Sequence, residues 1–215
     1  MSRAGAGPAV ESVRCVVWDF GDTLVDERWM QGTPTGCPEW PDAWRAIVSD
    51  VPFVDAWHEG RASFDDFVDR MCARTTLAPD AVERHVAQLC SQIMFFPAVM
   101  AAVRSARQRV PQICATVNAD LFSRFVVPVY DLDREFDAVV TSWEERSGSK
   151  VALTRAGLKR LALSIGLGET LLIDNRADNI EEYCHAGGNG YLFTGEAAFV
   201  DAVERGELPA WLRGW

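Results

Sequence analysis

Short apolar runs alternate along the chain with longer stretches in which apolar residues recur every three or four positions. The first run, Val13–Trp18, stops at Asp19. Similar runs fall at Gln112–Val117 (followed by Asn118), Asp137–Thr141, Thr170–Ile173 (followed by Asp174) and Tyr191–Phe193. Runs this short and this apolar predict strands buried on both faces. Helical spacing predicts helices over Asp42–Val51, Ser63–Arg74, Pro79–Met94, Pro97–Arg109, Ala119–Val127, Lys150–Ile165 and Asp178–Ala186. Ser63-Phe64-Asp65-Asp66 has the form of a capping box, and Phe64, Phe67, Val68, Met71 and Cys72 share one face behind it. Pro79 suits a first helical turn. Glu27–Pro41, with Gly32, Pro34, Gly36 and Pro38, reads as a loop.

Strands alternating with helices predict an α/β fold with a doubly wound parallel sheet and right-handed crossovers. The helical stretch after the first strand interrupts that alternation. The chain therefore divides into an α/β core, residues 11–26 and 96–215, and a helical cap inserted at 27–95. Four of the eight tryptophans, Trp29, Trp40, Trp44 and Trp57, fall in the insert. They either pack its core or form an apolar wall over a site.

An apolar strand that ends in a carboxylate delivers it to the edge where open α/β sheets bind ligands. Asp19 and Asp174 both end such strands, with a strand-end Asn118 and Lys150 between them in the chain. Asp19-Phe20-Gly21-Asp22-Thr23-Leu24 resembles motif I of the haloacid dehalogenase superfamily, usually written Asp-x-Asp-Gly-Thr-Leu. Asn118 matches the end of motif II, Lys150 the cation of motif III, and Leu171-Leu172-Ile173-Asp174-Asn175-Arg176-Ala177-Asp178-Asn179 the acidic motif IV. The resemblance spans residues 13 to about 195 and implies strand order 3-2-1-4-5 with motif I central.

It also implies roles for these positions. Asp19 would be the nucleophile, and Lys150 would screen the charge around it. Asn118 and Thr23 would contact substrate. Mg2+ would bind through Asp19, the Gly21 carbonyl and Asp174, with Asp178 a more distant or water-mediated ligand. Two positions depart from the pattern. Gly21 stands where phosphatases of the superfamily carry their general acid, and Val117 where motif II has a hydroxyl. Thr116, one residue earlier, is expected on the opposite strand face unless a bulge turns it. Three functions remain open. One is Mg2+-dependent hydrolysis of a small phosphorylated substrate through an aspartyl-phosphate, favouring good leaving groups. The second is a catalytically impaired binding or regulatory protein, and the third a 2-haloacid dehalogenase-like displacement.

Composition narrows the partners. The 215 residues are 48% hydrophobic and 24% charged, enough for one domain with an insert. A formal charge of −10 argues against nonspecific binding to nucleic acid or an anionic membrane, though a local pocket can still hold an anion. No apolar run approaches the roughly 20 residues of a membrane span. The six cysteines, at 15, 37, 72, 90, 114 and 184, form no Cys-x-x-Cys pair. Free buried thiols in a reducing cytoplasm are expected. Met1–Val10 reads as a flexible tail rather than a leader. His58, His85 and His185 share no motif, and packing or surface roles are expected for each.

Overall fold

β1 (Cys15–Trp18) is fully buried along its whole length because it is the middle strand of the sheet. The computed structural model describes residues 12–26 and 32–215. β2 (Gln112–Thr116), β3 (Ala138–Thr141), β4 (Thr170–Asp174) and β5 (Asn189–Leu192) complete a parallel sheet in the order β3-β2-β1-β4-β5. This is the expected doubly wound order. Side chains alternate across β1. Val16 and Trp18 enter one apolar cluster, and Cys15 and Val17 enter another. Both faces are therefore covered, as parallel sheets require.

Helices of eight or more residues are numbered α1 (Trp40–Val48), α2 (Val51–His58), α3 (Phe64–Cys72), α4 (Pro79–Cys90), α5 (Pro97–Arg107), α6 (Lys150–Arg160), α7 (Ala177–His185) and α8 (Glu196–Glu204). α6 and α7 pack with Cys15, Val17, Ile113 and Val140 on one face of the sheet. α5 and α8 cover the other, where Phe199 meets Trp18 edge-on.

α1 to α4 lie between β1 and β2 and pack on one another. The expected capping box is present. Ser63 Oγ accepts from the Asp66 amide at 3.3 Å, and Asp66 accepts from the Ser63 amide at 2.8 Å. Trp57 stacks on both Phe53 and Phe67, and Trp40 is buried against His85. These two tryptophans fill the helical layer's interior; Trp29 and the expectations for Met1–Val10 lie outside the described residues. The strand-side ends of the insert run side by side. The Phe96 amide donates to the Leu24 carbonyl at 2.9 Å, and the Asp26 amide to the Met94 carbonyl at 3.3 Å.

Several elements differ from the sequence expectation. The helix expected over Asp42–Val51 is two helices, with α2 opened by the Asp50 side chain, which accepts from the Phe53 amide at 3.3 Å. α8 has no counterpart in the expectation. The Ala119–Val127 stretch contains a π-helical turn, Phe122–Val126. Cys15, Cys37, Cys90 and Cys114 are buried, but Cys72 is only half-buried and Cys184 exposed. Among the described residues no helix is long and apolar enough to cross a membrane.

Candidate active site

The carboxyl ends of β1, β2 and β4 converge on a cavity of about 670 Å³. Ligand sites in open α/β sheets form at this edge, and the volume is in the range of small-molecule pockets. Asp19 enters as the residue after β1, its amide donating to the Ile173 carbonyl at 2.9 Å and so prolonging the ladder with β4. Asp174 is the last residue of β4 and is fully buried.

Lys150 binds the two acids together. It is the first residue of α6, whose N-terminus is fixed by Ser149 Oγ accepting from the Ala152 amide. Its side chain points inward and is 1% exposed. The ammonium donates to Asp19 Oδ1 at 2.5 Å and to the Ala115 carbonyl at 2.7 Å, and lies 3.2 Å from Asp174 Oδ2. Burial works against the lysine's charge, but the two adjacent carboxylates prevail and hold its pKa above the ordinary value. Burial dominates at Asp19 and raises its carboxyl above the usual range, with Lys150 opposing and Asp174 adding to the rise. One ammonium thus faces two carboxylates, which leaves the centre electron-rich.

Asp174 is held by donors on all sides. Its Oδ1 accepts from the Arg176 amide at 2.8 Å, and Asn179 Nδ2 reaches both of its oxygens, at 3.1 and 3.0 Å. Asn179 was not a sequence candidate; its signal was only its place within motif IV. Asp178 makes no contact with Asp174 of its own. It is exposed and forked by the Arg176 guanidinium at 2.6 and 3.1 Å, which lowers its pKa. It lines the cavity mouth, while the neighbouring asparagine supports Asp174.

Gly21 lies in the cavity wall and contributes only backbone. Asp22, beside it, is exposed and holds φ at +48°, a left-handed conformation that favours glycine. Thr116 and Val117 are both among the residues that line the cavity. Regular pairing of β2 ends at Thr116, so strand alternation does not govern the residue after it. Two expected substrate contacts lie off the wall. Thr23 is fully buried with its hydroxyl unpartnered. Asn118 is half-buried and exchanges hydrogen bonds with Ser142, its amide donating at 2.9 Å and its carbonyl accepting at 3.2 Å. The helical insert also contributes to the cavity: His58, the last residue of α2, is one of its lining residues.

The fold resembles that of solved enzymes of the haloacid dehalogenase family. A HAD-family enzyme from Bacteroides thetaiotaomicron, solved with magnesium and inorganic phosphate, superposes with a TM-score of 0.66 at 13% identity, over 86% of this chain and 96% of that one. A predicted HAD-like hydrolase from Porphyromonas gingivalis gives 0.64 at 18% identity, over 90% and 97%. L-2-haloacid dehalogenase from Xanthobacter autotrophicus gives 0.60 at 16%, over 93% and 86%. No protein-family model and no curated protein matches the chain.

Proposed function

We propose that this protein is a hydrolase that transfers a phosphoryl group from a small molecule to Asp19 and then to water. The observation that carries this reading is Asp19 itself. It is a nearly buried carboxylate at the end of the central strand, facing a small-molecule cavity and held by Lys150 with Asp174 alongside. The helical insert, residues 27–95, acts as the cap that encloses the substrate.

The donor set suits Mg2+, which takes hard oxygen ligands and tolerates retained waters. Asp19, the Gly21 carbonyl and Asp174 would hold it, and the surplus negative charge of two carboxylates around one ammonium favours a cation there. Asp178, committed to Arg176, is not in this set. Bound Mg2+ would offset charge on the phosphoryl oxygens. The chain supplies the rest. Lys150 orients Asp19 by holding Oδ1. A carboxylate oxygen of Asp19 attacks phosphorus in line, the bond from phosphorus to the leaving oxygen breaks, and an acyl phosphate forms on Asp19. Water then attacks the same phosphorus, releasing inorganic phosphate and restoring the carboxylate.

A dehalogenase-like displacement is the second reading, supported by the absence of any side chain at Gly21, since a halide leaves without a proton. Assays of 4-nitrophenyl phosphate, acetyl phosphate and 2-chloropropionate, with and without Mg2+, separate the readings. Turnover of the phosphates that needs Mg2+ and vanishes in Asp19→Asn is the expected result. Calorimetry should show Mg2+ binding to wild type and none to Asp174→Ala. Turnover of the haloacid alone would establish the second reading. No turnover of any of the three, together with no Mg2+ heat, would leave a binding protein.

A further inference from the structure

An alkyl phosphate cannot lose its alcohol readily unless the departing oxygen is protonated, and Gly21 offers no donor. We infer that His58 of the cap gives that proton, making it a catalytic residue of the phosphoryl hydrolase proposed above, on which this inference rests.

The side chains that share the cavity with Asp19 leave few alternatives. Lys150 is fixed among three acceptors deep in the protein, and its raised pKa opposes proton release at neutral pH. Arg176 stays charged at any physiological pH and is bound to Asp178, which is itself ionised. Thr116 and Asn179 are not acids in this range. His58 alone among the lining residues has a side chain that changes charge near neutrality. It belongs to the helical insert and lines the same cavity as Asp19, so a bound ester would lie within the space the two share.

The protein fixes that position firmly. Trp57, the preceding residue, donates its indole N–H to Asp120 Oδ1 at 2.7 Å, and Asp120 Oδ2 accepts from the Phe64 amide at 2.9 Å. The Trp143 indole donates to the Ala62 carbonyl at 2.9 Å, and a Cβ built on Gly60 would lie 2.3 Å from the Trp143 carbonyl oxygen. Contacts on both sides of His58 therefore dock this corner of the cap onto the core. Burial lowers the pKa of His58, with Asp55 one turn back opposing that shift. Asp19, Asp178, Lys150 and Arg176 are the charged groups that line the same cavity. In the step itself, the imidazolium N–H bond breaks as the bond from phosphorus to the bridging oxygen breaks. The proton goes to that oxygen, the alcohol departs, and the neutral imidazole recovers a proton from solvent.

The test compares 2-glycerol phosphate, whose alcohol needs the proton, with 4-nitrophenyl phosphate, whose phenolate leaves without it. His58→Gln should lower kcat on the alkyl ester by about 10^2- to 10^4-fold more than on the aryl ester, the usual range of general acid catalysis. Gly21→Asp with Asp22→Gly, placed in the His58→Gln background, should restore much of the alkyl activity by supplying another acid. Equal losses on both esters would overturn the inference, because a role in holding the cap together affects both alike. Wild type that hydrolyses the aryl ester but not the alkyl ester would also overturn it and leave the hydrolase reading standing. Wild type inert to both esters with Mg2+ present would remove the hydrolase reading and this inference with it.

Discussion

Burial of the Asp19 carboxyl weighs on stability. Its folded pKa lies above the ordinary value of 3.8, chiefly because burial disfavours the charged form. From 3.8 up to the folded value, the native protein therefore binds a proton that the unfolded chain has released. Stability falls as pH rises through that window and stays lower above it. Lys150 has the opposite sense. Its raised pKa contributes stability that is complete below 10.5 and is lost only as pH rises through the folded value, far from neutrality. Asp19→Asn removes the buried charge and leaves Lys150 paired with Asp174 at 3.2 Å. It should raise stability at pH 7, because burial disfavours the ionised form that the amide lacks. The gain should shrink toward pH 4. Urea titrations of both proteins at the two pH values measure this, and a variant less stable than wild type at pH 7 would mean that Asp19 is held as a structural ion-pair partner.

At the scale of elements, Asp120 joins cap to core. Its carboxylate accepts the Trp57 indole N–H from α2 and the Phe64 amide at the start of α3, where negative charge also favours the helix end. Asp120→Ala leaves both donors without their partner and should cost about 1–3 kcal/mol, the range for unsatisfied buried groups. It should also raise KM more than it lowers kcat, because the cap corner bearing His58 would no longer be held closed. A KM unchanged from wild type would show that closure depends on the surrounding aromatic packing. Asp120 also marks where sequence reading stops. The strand ends bearing Asp19, Asp174 and Asn118 and the α3 capping box were legible from local periodicity and spacing, whereas the order of the sheet and the place of Lys150 beside Asp19 were legible only through the resemblance to a known family. The split at Ser49-Asp50 was not, since Pro52 suits both a first helical turn and a loop. The place of Thr116 on the cavity wall depends on where strand pairing ends. The partnership of Asn179 with Asp174, five residues apart, had only its place in motif IV as a signal; the presence of His58 in a cavity with Lys150 and Arg176 depends on tertiary docking and leaves no mark in local sequence.

At the scale of the whole molecule, the formal charge of −10, from 21 basic and 31 acidic residues, sets how an anion approaches. The cavity's cations do not form a positive funnel. Lys150 is matched by Asp19 and Asp174, and Arg176 by Asp178. A phosphomonoester dianion therefore meets a repulsive field until it reaches the oxygen-rich centre, where the proposed Mg2+ would balance it. Repulsion between a net-negative protein and a dianion is long-ranged and is screened by salt, with a Debye length of about 30 Å at 0.01 M and about 8 Å at 0.15 M. Raising NaCl across that interval at fixed Mg2+ should increase kcat/KM for 4-nitrophenyl phosphate a few-fold, by easing approach. It should leave kcat nearly constant, since chemistry in a closed, buried site is poorly screened. A fall in kcat/KM with salt would mean that Arg176 opens away from Asp178 and draws the substrate in. In that case Asp178→Asn should steepen the salt dependence by freeing the guanidinium further.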